Sequence, residues 1–287
     1  LMIDARLKEI VSCPTCGADL EFKENSTFCI SCNKNYTLKD GKIYFIDNFL
    51  EPKKLKGVFD VKKWSPLRKK NYDFYKKEVE DFYGENQIWI DLGVGPAQFR
   101  DIFKEGAVVF GIDFAPYQKA DIVSDFNNSL PLKSNSVDRI FASNVFEHVS
   151  NPAFLIQECH RILKDDGVMI ASTPFLLMEH QGPYDYFRYT QHSINLLSKF
   201  GFEVKNVTPL GSRRETLETT WFHFIKRTMD EYEDSDKKLP FRYKLIFKFI
   251  NLTFLFLSFF IDKLKKANES DPLFTLGYGF VLIKRKD

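Results

Sequence analysis

The sequence predicts an α/β protein, a doubly wound parallel sheet carrying a small metal-ligating module at its N-terminus. Three observations predict it. From about residue 86, short apolar runs ending in glycine or an acid alternate with helical stretches, the pattern of strands joined by crossover helices. The first of these runs ends in a glycine turn, and acids close the runs that follow. Two Cys-x-x-Cys pairs lie within the first 32 residues. At 287 residues there is room for one large domain and one small one. A content of 44% hydrophobic and 28% charged residues is ordinary for a globular protein, and the net charge of +2 gives no general attraction to nucleic acid.

The N-terminal module comes first. Cys13-Pro14-Thr15-Cys16 is separated by twelve residues from Cys29-Ile30-Ser31-Cys32. Each pair bends tightly enough for two thiolates to reach one ion, and a hairpin between them would bring the pairs together. Four thiolates make a closed, tetrahedral, structural zinc site with no open position for chemistry. Residues 36–45 read as a further hairpin turned at Asp40-Gly41. A unit of about 50 residues buries little core, so metal binding would supply much of its folding energy. The first ten residues contain charges and no apolar run of the secretory kind, and paired Cys-x-x-Cys units then favour metal over disulfides. A cytoplasmic address is expected. Residues 1–50 are read as the ribbon. Residues 51–85 are a basic linker and leading helix, rich in lysine between Lys53 and Lys77.

The sheet domain is expected over 86–287. Ile88–Leu92 is an apolar strand running into Gly93-Val94-Gly95-Pro96-Ala97, with a helix expected over Gln98–Lys104. Small residues let the backbone turn sharply and approach a ligand. A nicotinamide-binding turn looks similar, so this segment alone does not choose the ligand. A second strand, Val108–Asp113, ends in an acid about twenty residues on, placed to accept hydrogen bonds from ribose hydroxyls. A third, Asp121–Asp125, ends in an acid suited to the adenine side. A fourth, Arg139–Ser143, closes on Asn144-Val145-Phe146-Glu147-His148 at the carboxyl edge, where such sheets bind ligands.

These residues resemble the methyltransferase type 11 group of class I S-adenosylmethionine-dependent enzymes. The resemblance rests on D-L-G-V-G-P-A, G-I-D, L-P-L-K-S-N-S-V-D, N-V-F-E-H-V and N-P, and continues through Glu158–Gly167, Ser172–Phe175, Tyr184–Thr190 and Gly201-Phe202. It covers roughly residues 86–210 and returns at the final strand. The fold it implies is a Rossmann-like, seven-stranded methyltransferase sheet. It implies that Asp91, Gly93 and Gly95 line the methionine moiety of the cofactor, Asp113 holds its ribose, Asp125 its adenine side, and Asn144 contacts the methionyl group through its backbone. Ala97 departs from the glycine common there, and Asp166 from a proline. The N-terminal stretch resembles the short Trm112-like zinc ribbons, with the same C-P-x-C opening and a related ending.

Methyl transfer is an in-line displacement at a sulfonium carbon, so the protein aligns the nucleophile and, where needed, removes its proton. His148 and Tyr186 are the candidates for that role. His180 and Arg188, in the loop after the fifth strand, are candidates for holding the acceptor, with loop anchoring as the alternative for Tyr186 and Arg188 and a structural or cofactor-shell role as the alternative for His148. Asp138 and Glu158 read as fold residues. No D/N-P-P-Y/F motif follows the fourth strand, which argues against transfer to exocyclic base amines.

Between the sixth strand and the last (Leu276–Lys284), a helical apolar insertion is expected over about 209–272. Within it Lys244, Lys248, Asn251, Ser258 and Asp262 form a narrow polar stripe beside a wide apolar surface. That surface would cover the sheet, pair two copies of the chain in a homo-oligomer, or lie in a membrane surface through 241–266, at the inner face of the membrane. The expected function is methyl transfer to a small-molecule, glycan or lipid-linked acceptor, at oxygen. An RNA methyltransferase using the ribbon for its substrate and a non-catalytic S-adenosylmethionine-binding adaptor are the alternatives.

Overall fold

The computed structural model describes residues 3–52, 65–233, 240–263 and 270–286. The linker lysines at 53, 54, 56, 62 and 63 therefore lie outside the described residues. The central strands are β5 (Ile88–Leu92), β6 (Val108–Asp113), β7 (Ala120–Val123), β8 (Val137–Ser143), β9 (Leu163–Pro174), β10 (Phe202–Pro209) and β11 (Gly277–Lys284). They run in the order β7-β6-β5-β8-β9-β11-β10, with β11 antiparallel to both neighbours and the others parallel.

The period of two along these strands feeds two cores. Ile90, Leu92, Ile112, Ile140, Ala142, Met169 and Phe280 point to one face, with α1 (Ala5–Ile10) and α3 (Pro152–Ile162). Trp89, Val109, Phe141, Val168, Ile170 and Val281 point to the other, against α2 (Pro66–Asp81), which contributes Leu67, Phe74, Tyr75 and Val79. Burial on both faces explains why these strands read as continuous apolar runs. Glu158 and Asp138 are fold residues as expected. Glu158 accepts from Leu130 N and pairs with Arg161, and Asp138 accepts from Ile88 N.

Two sequence expectations are corrected. The sheet has eleven strands where seven were expected. The four additional strands are β1 (Leu20–Phe22), β2 (Ser26–Cys29), β3 (Asn35–Lys39) and β4 (Lys42–Tyr44). β4 pairs in parallel with β7 through Ile43 with Ile122 and Tyr44 with Val123. Phe45 N donates to Val123 O, and Lys42 Nζ donates to Ala120 O at 2.6 Å. The physical reason is that β7 would otherwise present an open edge of unpaired backbone groups. The N-terminal segment is tied in as well, with Leu7, Ile10 and Val11 in the main core and Ser12 N donating to Pro131 O.

The second correction concerns Gln98–Lys104, which folds as a single 3-10 turn at Arg100–Ile102. Here α2 covers the sheet instead, with Tyr75 against Phe99 and Phe141 at 5.3 and 4.6 Å between ring centres.

Within the expected insertion the described residues are largely helical. They form α5 (Arg213–Glu233) and α6 (Phe241–Lys263). The described side chains of α6 that approach the protein are Phe247, Asn251, Phe254 and Ser258, spaced as one helical face. Phe254 stacks on Trp221 at 4.6 Å, and Ser258 Oγ donates to Glu218 at 2.5 Å. Of the expected polar stripe, Asn251 and Ser258 face inward and Lys248 is exposed, with the Lys244 and Asp262 side chains outside those described; Phe249, Leu252, Phe256 and Leu257 are each more than 60% exposed. No described helix is long and apolar enough to cross a membrane.

Candidate active site

The chain leaves β7 and crosses to β8 on the far side of β5, so strand order reverses at the β5–β8 boundary, where open α/β sheets bind ligands. The glycine turn stands on this boundary. Gly93 has φ +73°, and a Cβ there would meet Val145 Cγ2 at 2.6 Å, so both the left-handed backbone and the contact with the post-β8 loop require glycine. Ala97 adopts φ +58°, in the left-handed region that favours glycine.

Asp113, at the end of β6, accepts from Gly95 N at 2.8 Å and from Ala115 N at 2.9 Å, fastening the turn to the next loop. Burial raises its pKa, and those backbone donors partly offset the rise. Asp91 is buried at the end of β5, and burial pushes its pKa up to about 7 despite Arg100, whose Nη1 lies 4.0 Å away. Arg100 was not singled out from the sequence. It lies nine residues from Asp91 and is turned back by the 3-10 turn to donate to Val109 O. Asp125 accepts from Asn127 N and both neighbouring asparagine side chains, shaping the loop after β7. Asn144 sits at φ +53°. Its Oδ1 accepts from Ser172 Oγ, which also bonds the buried Tyr75 hydroxyl. That chain of contacts from α2 to the end of β8 had no signal in local sequence.

A second cluster closes the other side of the cleft. Glu147 is fully buried, and burial pushes its pKa up to about 8. His148 Nε2 lies 3.6 Å from Glu147, and His148 Nδ1 lies 2.5 Å from Tyr184 O. His180 stacks edge-on against His148 at 5.0 Å. Arg188 uses all five donors inside its loop, on Leu177 O, Phe187 O, Met178 O and both oxygens of Asp185. Of its two expected roles, those bonds serve loop anchoring. Burial disfavours the Asp185 carboxylate, but Arg188 and His180 N outweigh it and hold the pKa at about 2. Tyr186 donates its N–H to Glu147 O, and its ring is exposed at the mouth. Beside this loop a cavity of about 600 Å3 is lined by Phe175, Leu177, Met178, His223, Phe224 and Arg227, among others.

In the ribbon, both cysteine pairs form the same knuckle. Gly17 N donates to Cys13 O and Asn33 N to Cys29 O, with Gly17 and Asn33 both left-handed. The sulfurs of Cys13 and Cys32 are 3.6 Å apart, those of Cys16 and Cys29 3.3 Å, and all four lie within 4.8 Å of one another. Around a tetrahedral zinc with Zn–S of about 2.3 Å, sulfurs stand roughly 3.8 Å apart, so the set fits such an ion.

Residues 90–171 match the family described as methyltransferase domain. The "Probable S-adenosylmethionine-dependent methyltransferase" of Mycolicibacterium smegmatis is 29% identical over 41% of this chain and 52% of its own length. The malonyl-[acyl-carrier protein] O-methyltransferase 1 of Coxiella burnetii is 33% identical over 28% of this chain and 30% of its own. The ubiquinone biosynthesis O-methyltransferase of Actinobacillus pleuropneumoniae is 26% identical over 38% of this chain and 53% of its own. The chain thus spans about half or less of the length of these curated relatives. Among solved structures, the [4+2]-cyclase SpnF is 16% identical with a TM-score of 0.47, over 75% of this chain and 81% of that one. The residues that match the methyltransferase-domain model run from β5 into β9, the strands that build the cleft.

Proposed function

We propose that the chain transfers a methyl group from S-adenosylmethionine to an oxygen of a small-molecule, glycan or lipid-linked acceptor. The observation that carries this reading is Asp113 bridging the glycine turn at the strand reversal, with Asp91 buried beside it. Asp91, Gly93 and Gly95 would hold the methionine end of the cofactor, Asp113 its ribose and Asp125 its adenine side. The Gly93 backbone, bare of Cβ against Val145, fits such a close approach. When bound, the cofactor would supply an electrophilic methyl on its sulfonium, displaced in line by the acceptor oxygen. Tyr186, or His148 through Nε2 where no metal ion engages it, would take the acceptor's proton. The names of two relatives favour oxygen, and the apolar cavity between the post-β9 loop and α5 favours an acceptor with a hydrophobic part.

The four ribbon cysteines would hold a structural zinc ion. The outward apolar face of α6 favours docking on a membrane surface, which would bring a lipid-linked acceptor to the cleft. The test is incubation of the purified chain with methyl-labelled S-adenosylmethionine and separated lipid, glycan, small-molecule and RNA fractions. Label in the first three supports this reading. Label in RNA would replace it with the RNA alternative, and cofactor binding without label in any fraction would replace it with the adaptor.

A further inference from the structure

We infer that Glu147, His148 and His180 form a second metal site, for a divalent first-row transition cation, at the mouth of the cleft. Glu147 is 0% exposed, and neither carboxylate oxygen has a hydrogen-bond partner among the described residues. A buried carboxylate without donors is costly, and such groups are normally paired or bound to metal. Its polar neighbour is His148 Nε2 at 3.6 Å from Oε1. One ligand atom from each of the three residues lies within 4.8 Å of the others. Around a common ion with bonds of about 2.0–2.2 Å, ligand atoms stand roughly 3–3.5 Å apart. The set therefore closes on an ion with a small movement of the His180 loop.

Both imidazoles are already oriented for the task. His148 Nδ1 faces Tyr184 O at 2.5 Å, which places its N–H there and leaves the Nε2 lone pair toward Glu147. His180 Nδ1 lies 3.4 Å from Met178 O, 3.3 Å from Asp185 Oδ2 and 3.5 Å from Arg188 Nη2, so Nε2 is the ring nitrogen assigned to the ion. A metal-ligating histidine typically donates its other ring N–H to a carbonyl or carboxylate in this way. The nearby Arg188 does not oppose a cation as a free charge would, because Asp185 holds it through two hydrogen bonds. Gln181 Nε2, 3.4 Å from His148 Nε2, belongs to an exposed side chain and can give way.

Two imidazoles and one carboxylate suit Mn2+, Fe2+, Co2+ or Zn2+. Unlike the four-thiolate ribbon, three ligands leave coordination positions open. If the proposed methyl transfer holds, a bound ion would lower the pKa of an acceptor hydroxyl, whose proton would pass to Tyr186 or to solvent, with His148 serving as ligand and not as base. The metal site itself stands apart from that reading.

The experiment titrates the full zinc-loaded chain with Mn2+, following free ion by electron paramagnetic resonance, and separately with Co2+, following its visible bands. One equivalent of either ion should bind beyond the ribbon's zinc. Glu147→Gln and His180→Ala should each weaken it by about 100-fold or more, with zinc content and melting unchanged. His180 stands on a partly exposed loop, so its variant keeps the test valid if Glu147→Gln misfolds. The inference is overturned if neither ion binds stoichiometrically up to millimolar concentration, or if binding survives both substitutions. Calorimetry with S-adenosylmethionine on the same samples separates the two readings. Cofactor binding without metal sinks the metal site alone, and metal binding without cofactor sinks methyl transfer alone.

Discussion

The two additions to the central sheet are built in opposite ways. The ribbon is short and poor in core, yet β4 joins β7 by backbone pairing, and Ile43 is fully buried in the main core. The α5–α6 pair is long and rich in phenylalanine, yet α6 turns only Phe247, Asn251, Phe254 and Ser258 inward among its described side chains and leaves Phe249 and Phe256 at 67% and 63% exposed. Apolar content alone therefore does not say which segment the fold buries. A small segment whose backbone completes an open edge is integrated, whereas a large apolar helix with its hydrophobic side outward is suited to a surface outside the chain.

The largest expected effect tests the ribbon's integration. Cys29→Ser should abolish zinc binding and lower the melting temperature of the whole chain by about 10 °C or more, since structural zinc contributes of order 10 kcal/mol to small ribbons. Calorimetry showing a separate ribbon transition, with the main one unmoved, would break the comparison. Next, Ile43→Ala should cost about 2–5 kcal/mol in denaturant unfolding, as expected for a fully buried isoleucine. A loss below about 1 kcal/mol would mean that the β4–β7 junction contributes little.

The cleft gives a third test, on the proposal that its buried charge serves ligand binding rather than stability. Asp91→Asn should weaken S-adenosylmethionine binding while stabilising the unliganded protein. The folded-state pKa, near 7, lies above the ordinary value of about 4, so the neutral form is favoured in the fold. The ionised carboxylate therefore costs nothing at low pH, costs more as pH rises from about 4 to 7, and costs a constant amount above that. Melting of the two proteins should coincide near pH 4 and diverge toward pH 8. Divergence in the other direction would refute the assignment of Asp91 as a desolvated charge. The smallest stability effect belongs to the hairpin. Replacing Phe249, Leu252 and Phe256 of α6 by serine should change stability by no more than about 0.5 kcal/mol each, yet abolish sedimentation with anionic lipid vesicles. Loss of several kcal/mol would show that this face is covered after all.

Much of the cleft was legible in the sequence because its signals are local. A strand, a tight turn and an acid lie within a few residues, and Asp91, Gly93, Gly95 and Asp113 converge at one sheet edge as that spacing implies. The two cysteine pairs were legible for the same reason, each knuckle closing on its own backbone. Arg188 was legible as a candidate with two roles open, and its bonds to Asp185, which favour anchoring, form only once the loop folds back. The convergence of Glu147 and His148 with His180 was not legible either, since the residues come from different loops.

By itself, the sequence determined which segments form strands, where the glycine turn and its acids fall, and that four thiolates lie within reach of one ion. Periodicity, turn chemistry and short-range spacing fix such features before any tertiary contact exists. Tertiary structure alone decided that the ribbon's β4 continues the sheet, that α6 presents its apolar side outward, and that a buried glutamate meets two histidines at the cleft. Each depends on surfaces distant in the chain satisfying one another's backbone edge, volume or charge, and no local pattern records which partner will arrive.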